Sequence, residues 1–388
     1  MLLQFPYGFK KVNTKKEDFM HKLVYRGNDQ FDIVSVSIPQ PGPNEVVVKM
    51  KVAALCGSDI HIKEQHDLEF LKNRDYSPKT PSHEPAGIVT QIGTAVNTVQ
   101  IGDRVAVYHK LGCQACDECR TGNIVMCAKG GALSSEFDGA AADYLVVPRE
   151  NCLPLPESLG FEDGAIMMCA GGTAYSGLSK LKLNSGESLA VFGCGPVGLA
   201  TIILAKAMGA HVFAVDIHPD RLALATKVGA DFVINSSKDV PVQNVYDMIH
   251  GFTVPASSTV EKLYGFTNGK GVDCVAECSA SSHARANGVD SLARRGRMVL
   301  LGIDNQFRNN FSFQRSLEPE KIIFKELSIF GSNVFPLPMF YPMVKFMTHN
   351  RVSFVPMITH RFPLEQGAAA FKMAATPSSG KVIITWDN

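Results

Sequence analysis

Residues 187–216 read ESLAVFGCGPVGLATIILAKAMGAHVFAVD, and this stretch decides the fold. A short strand-like run, ESLAVFG, is followed by a turn with three glycines. A long apolar helix pattern comes next, and HVFAVD forms a second strand-like run. Gly193, Gly195 and Gly198 stand in the G-x-G-x-x-G spacing, between a strand and a helix, the context that this fingerprint requires. Gly193 permits the tight turn, Gly195 lets the backbone approach a pyrophosphate, and Gly198 allows close helix–strand packing. The helix N-terminus then offers amide donors and a positive dipole end to phosphates. Pro196 and Pro219 fall at first helical positions, and Gly209 and Gly229 where helices should stop.

Asp216 closes the second strand about 20 residues after the glycines, where an acid can bind the adenosine ribose hydroxyls. A carboxylate there repels a 2′-phosphate and favours NAD over NADP. The alternative reading of Asp216 is a solvated loop acid. Gly193, Gly195, Pro196, Val197, Gly198, Asp216 and Arg221 are the expected cofactor-binding positions.

Outward from this stretch the alternation continues. PDRLALATKVG reads as a helix and DFVIN, GVDCVAEC, GRMVLLGI and ELSIFGS as strands. This predicts a doubly wound parallel sheet, a Rossmann unit over residues 172–331. Residues 236–262 are long for one connection, lack clear periodicity and read as an insertion of no assigned use. The chain before about residue 170 is rich in short β-like runs (EVVVKMKVAAL, AGIVTQIG, GDRVAVYH, AADYLVVP), which predicts a β-rich, partly barrel-like unit. After Gly331 a helical MFYPMVKFMTHN and a final GKVIITW read as a return to that first unit. The expected division is an N-terminal extension (1–20), a β-rich unit (21–171 and 332–388) and the Rossmann unit.

Length and composition suit a globular chain with room for two domains, and the alternation of strands and helices makes it α/β. The 388 residues are 45% apolar and 19% charged, with a net charge of +1, so no global electrostatic case exists for nucleic acid or an acidic membrane. No apolar run is long enough to span a bilayer. The opening MLLQFPYGFKKVNTKKEDFM is a poor signal peptide: its apolar run is broken by Pro6 and Gly8, and its lysines follow it. A cytoplasmic location is expected, where clustered cysteines bind metal more often than they pair.

Four of the ten cysteines lie in GCQACDECRTGNIVMC: Cys113, Cys116, Cys119 and Cys127, separated by two, two and seven residues. Such a loop can wrap its thiolates around one tetrahedral zinc with no open position, a structural site. Two disulfides or an iron–sulfur cluster are the alternatives. Three further pieces carry borderline or soft ligands: CGSDIH at 56–61, SHEPAG at 82–87 and MCAGGTAY at 168–175.

With these motifs in this order, the chain from about His21 to its end resembles the zinc-containing medium-chain alcohol and polyol dehydrogenases. The resemblance implies a GroES-like catalytic domain interrupted by the Rossmann domain. It implies a catalytic zinc on Cys56, His83 and Cys169, with Glu84 beside the metal and able to exchange onto it. Asp59 matches the acid that orients the ligand histidine. Ser58 matches the hydroxyl that bonds the substrate oxygen, and His61 the outer member of a proton relay. Lys381 matches a basic residue near the cofactor phosphates. Family branches acting on sugar alcohols often carry Glu in place of Cys169. Ser82 departs from the family's Gly before the ligand histidine, a change that costs little unless the backbone there needs a positive φ.

The implied reaction takes a hydride from an alcohol to NAD, with two zinc ions per chain. A homodimer or homotetramer is implied, and the partner is a small-molecule alcohol. His109, where some members place an apolar pocket residue, points to a polar substrate: a secondary alcohol of a polyol, cyclitol or sugar derivative. A histidine bound to backbone at a strand end explains it equally well. A simple alcohol or threonine-type substrate is the nearest alternative, and a non-catalytic protein retaining the fold the distant one.

Overall fold

The computed structural model describes residues 19–27, 29–60, 79–247, 252–303 and 317–386. Its first two strands, β1 (Phe19–Gly27) and β2 (Gln30–Ser37), form an antiparallel pair that the sequence reading does not anticipate. β3 (Glu45–Ala54) then organises a seven-stranded sheet. It pairs antiparallel with β4 (Glu84–Ile92), which in turn pairs with β5 (Arg104–Val107). β6 (Lys110–Leu111) and β7 (Gly131–Ala132) bracket the four-cysteine loop. β8 (Tyr144–Pro148) pairs with β3, and β9 (Cys152–Pro154) with β5. EVVVKMKVAA of β3 is buried at most positions rather than at alternate ones, because it has neighbours on both edges and cover on both faces.

The chain then enters helix α1 (Phe161–Ile166), a π-helical turn (Met167–Gly171) and α2 (Gly172–Leu181). The Rossmann sheet follows. β10 (Ser188–Phe192) leads through α3 (Pro196–Ala207) to β11 (His211–Asp216), and α4 (Pro219–Lys227) to β12 (Phe232–Asn235). Both helices have Pro at the first position. Gly209 (φ +85°) and Gly229 (φ +113°) lie just past their ends, in the left-handed conformation of helix stops. α3 is apolar almost all round because it is buried between the sheet and the helices beside it.

Residues 236–262 contain an antiparallel hairpin of β13 (Pro241–Asp247) and β14 (Phe252–Ser257) and the start of α5 (Ser258–Phe266). The insertion is therefore partly the crossover helix itself. β15 (Val272–Glu277), α6 (Ser282–Ser291), β16 (Leu292–Leu300) and β17 (Ser328–Gly331) complete the sheet. Its order, β12-β11-β10-β15-β16-β17, is parallel throughout, the doubly wound arrangement. α7 (Phe340–Asn350) leads back to the first sheet, where β18 (Ile358–Phe362) pairs with β19 (Lys381–Thr385) and β19 with β3. Among the described residues no helix is long and apolar enough to cross a membrane.

Candidate active site

Pairing of β3 with β4 sets Ala54 opposite Glu84, so the residues just past one strand meet those that begin the other. Cys56 comes from the first, and His83 and Glu84 from the second. Cys169 arrives from the π-helical turn, a local widening often found at functional sites. The four residues each offer a ligand atom, and all these atoms lie within 4.8 Å of one another. Cys56 Sγ and Cys169 Sγ are 3.9 Å apart. Tetrahedral zinc with bonds of about 2.3 Å to sulfur needs about 3.8 Å between them. Their contact draws Cys56 well below the usual thiol range and pushes Cys169 well above it. A divalent cation held by the two sulfurs would let both ionise. The donor set therefore fits zinc.

Asp59, 3% exposed, gathers four donors. Its Oδ1 accepts from His83 Nδ1 (3.0 Å), Ser134 Oγ (2.9 Å) and the Ser82 backbone N–H (3.2 Å), and its Oδ2 accepts from the Cys56 N–H (2.9 Å). A carboxylate only accepts, so His83 carries its hydrogen on Nδ1 and turns the Nε2 lone pair towards the cluster. Ser58 Oγ lies 3.5 Å from that Nε2. Ser82 does adopt a positive φ, +73°, and its hydroxyl bonds the Ala54 carbonyl at 3.0 Å. Ser134 was not singled out from sequence; nothing in GGALSS marks it. His61 lies outside the described residues.

Lys381 requires a correction. It is fully buried, and its ammonium is ion-paired with Glu84 Oε1. A side chain with no exposed surface there cannot face cofactor phosphates. Burial opposes its charge, but Glu84 and the two thiols outweigh that and hold the ammonium ionised. Burial also pushes Glu84 up, to about 8, against the pull of Lys381. The second Glu84 oxygen, Oε2, is buried without a hydrogen-bond partner.

All ten cysteines are free, so the four-cysteine loop forms no disulfide. Its four sulfurs lie within 4.8 Å of one another, and Cys116 and Cys127 are 3.8 Å apart, the tetrahedral spacing again. The Ala115 and Cys116 amides draw Cys113 down to about 6, a thiolate ready for metal.

One cavity of about 850 Å³ runs from Cys56, Ser58, His83 and Cys169 to Gly193, Gly195, Pro196, Val197, Asp216 and Arg221. A Cβ on Gly198 would lie 1.9 Å from the Gly193 carbonyl oxygen, so this glycine serves helix packing. Gly195 has nothing within 4 Å of its Cβ position, which leaves room for a diphosphate above the free amides of α3. Asp216 is 6% exposed and is no solvated loop acid. Its oxygens accept the Cys194 N–H (2.7 Å) and the His218 N–H (2.9 Å), which fixes the carboxylate at the cleft wall. Arg221 Nε bonds the Pro377 carbonyl at 3.2 Å. The cleft fits a dinucleotide.

His109 both bonds backbone and lines the cavity. Nδ1 bonds the Met168 carbonyl at 2.8 Å, and the ring also lines the cavity, 4.9 Å from the ring of His83. Burial, with the charges of His83 and Lys110, holds it well below the usual imidazole range. The neutral ring donates from Nδ1, so Nε2 is left as an acceptor.

Known proteins resemble this chain in sequence and fold. The alcohol dehydrogenase GroES-like domain matches residues 42–157, and zinc-binding dehydrogenase matches residues 196–349. An uncharacterized zinc-type alcohol dehydrogenase-like protein of Escherichia coli is 32% identical over 93% of this chain and 97% of its own. L-threonine 3-dehydrogenase of Pyrococcus horikoshii is 32% identical over 91% and 94%. The structure of galactitol-1-phosphate dehydrogenase from Escherichia coli superposes with a TM-score of 0.77 at 27% identity, covering 94% of this chain and 100% of that one. With both metal clusters and the dinucleotide cleft in one chain, the protein belongs to the zinc-containing medium-chain alcohol dehydrogenases.

Proposed function

We propose that this dehydrogenase oxidises a secondary alcohol of a polyol, cyclitol or sugar derivative, with NAD as acceptor. The observation that carries the substrate class is His109. Its Nε2 acceptor lies in the cavity wall beside His83, where a second hydroxyl next to the reacting carbon would find a partner. An apolar alcohol leaves that acceptor unpaired, at a cost of about 1–3 kcal/mol. Fixed in the cleft, Asp216 favours NAD, because a 2′-phosphate would meet its charge.

When bound, zinc supplies a Lewis acid that brings an alcohol hydroxyl towards ionisation at neutral pH, and NAD supplies the hydride acceptor. Cys56, His83 and Cys169 would hold that zinc, and Cys113, Cys116, Cys119 and Cys127 the structural one. Asp59 keeps the His83 tautomer. Ser58 Oγ takes the hydroxyl proton and His61 passes it towards solvent. With zinc and NAD held by these residues, the balance would be one proton to water and one hydride from the alcohol carbon to the acceptor, leaving a carbonyl.

In this reading residues 21–171 and 332–388 form the catalytic domain and 172–331 the NAD-binding domain. The family resemblance implies a homodimer or homotetramer, in which the edge strand β17 would extend the sheet across a two-fold axis. Six ligand thiols must stay reduced, which suits the cytoplasm.

NADH absorbance tests the proposal, on a panel of polyols, cyclitols, sugar alcohol phosphates, threonine and simple alcohols. Reduction of NAD by polyhydroxy compounds, lost with a chelator, is expected. His109→Phe should weaken those more than a simple alcohol, and equal effects would remove His109 from the argument. The relatives that are L-threonine 3-dehydrogenases favour an amino alcohol as second reading, and turnover of threonine alone would select it.

A further inference from the structure

Beyond Asp216, the cleft continues to Ser236, His283 and Asn287, and this end carries an arrangement that the reaction does not use. His283 stands in the first turn of α6, with its side chain 61% exposed. Behind it lies Asp239, from the segment to which the sequence reading assigned no use. The Asp239 side chain is 3% exposed and saturated with donors. Its Oδ1 accepts from Ser258 Oγ (2.8 Å) and the Thr259 N–H (2.9 Å), and its Oδ2 accepts from His283 Nε2 (2.9 Å) and Asn287 Nδ2 (2.8 Å).

Burial would raise this carboxyl, but the four hydrogen bonds outweigh it and hold Asp239 at about 2. The group is therefore an ionised acceptor, and the 2.9 Å bond to it puts the hydrogen of His283 on Nε2; the Asn287 amide, 3.2 Å from that same nitrogen, then donates to Asp239 at 2.8 Å and not to the ring. In the neutral ring Nδ1 is then a lone pair, which makes no hydrogen bond among the described residues. A fixed acceptor at the wall of a cleft selects a ligand that brings a donor.

Position says which donor. In a doubly wound sheet a dinucleotide lies across the carboxyl ends of the strands, with its diphosphate on the glycine turn and its ribose at the acid of the next strand. Ser236 follows β12, one strand further out, and His283 faces the same end of the cleft. The group that reaches there is the base, and adenine carries a donor in its exocyclic amine. We propose that His283, held in place by Asp239, accepts a hydrogen bond from the adenine amine and sets the selectivity for the base. Asp239 is a positioning residue in this scheme. The inference rests on the reading that the cleft binds a dinucleotide.

Fluorescence titration with NADH and with reduced nicotinamide hypoxanthine dinucleotide, which has a carbonyl in place of the amine, tests it without turnover. The wild-type chain should bind NADH roughly three- to tenfold more tightly, the worth of one hydrogen bond. His283→Ala should bring the two affinities together by weakening NADH, and Asp239→Asn should narrow the same ratio. A purely structural role for Asp239 would shift both affinities alike or neither. An unchanged ratio in His283→Ala, with NADH still bound, overturns this inference alone. Failure of the wild-type chain to bind either dinucleotide overturns the dehydrogenase reading as well.

Discussion

Ser82 donates its backbone N–H to Asp59 Oδ1 at 3.2 Å from a left-handed backbone conformation, φ +73°. The residue before the ligand histidine thus has the geometry that suits Gly, but it is Ser. An L-residue there carries about 1–2 kcal/mol of strain. The hydroxyl offsets part of it by bonding the Ala54 carbonyl at 3.0 Å, worth about 1 kcal/mol. Ser82→Gly should be close to neutral, since it loses the bond together with the strain. Ser82→Ala loses the bond and keeps the strain, and should be less stable than the Gly variant by that strain, about 1–2 kcal/mol. Urea unfolding of the zinc-loaded variants measures the order. Equal stability would mean that the backbone relaxes out of the left-handed region.

Lys381 and Glu84 make the second prediction. Lys381→Met removes the cation that draws the buried Glu84 carboxyl down, so Glu84 takes up a proton at neutral pH and the loss should fall below the about 3–5 kcal/mol that an unpaired buried charge costs. The double variant Lys381→Met, Glu84→Gln removes the charge as well and should recover much of that loss. NADH affinity should stay within about twofold of wild type in the single variant, because the side chain has no exposed surface. A large loss of NADH affinity in a folded Lys381→Met chain would return Lys381 to the cofactor.

Sequence reading reached the parts of the molecule that short range encodes. Gly193, Gly195 and Gly198 between two strand patterns fixed the Rossmann unit, and four cysteines within 15 residues fixed a metal loop. Lys381 and Glu84 lie 297 residues apart, and only the β19–β3–β4 pairing brings them together. A sequence pattern carries no record of such a contact. The strand β1 has no clear sequence pattern because MHKLVYRG mixes charges into its buried run, and its buried face is defined by β2 and the segment 140–142 beside it. Ser134 and Asp239 carry no motif at all. Each acts through a side chain from another element, so each became visible only in three dimensions.

Metal content separates the two clusters. Wild-type protein dialysed against a weak chelator should keep two zinc ions per chain, one for each cluster. Cys116→Ser should keep one and unfold at a lower temperature, because the loop between β6 and β7 has little apolar content of its own. Asp59→Asn should hold the catalytic zinc about 10–100-fold less tightly, since the partner that orients His83 loses its charge. Elemental analysis against chelator concentration reads both. A full complement of two in Cys116→Ser would remove that residue from the ligand set.

Asp239 links the fold to acid. Four hydrogen bonds hold its carboxyl at about 2, below the ordinary 3.8, although burial pulls the other way. As pH falls, the unfolded chain takes up this proton before the folded chain does. The contribution of Asp239 to stability is therefore complete above about pH 5 and is lost as pH falls from about 4 towards 2. Asp239→Asn has no such proton to bind, and it should be less stable than wild type at pH 7. The gap between the two should stay constant down to about pH 5 and then narrow. Loss of zinc in acid affects both proteins and cancels in the difference. Urea unfolding at pH 7, 5, 4 and 3 follows the gap. A gap as wide at pH 3 as at pH 7 would mean that the variant suffers from geometry rather than from the missing charge, and that the ionised state assigned to Asp239, with the tautomer it imposes on His283, is wrong.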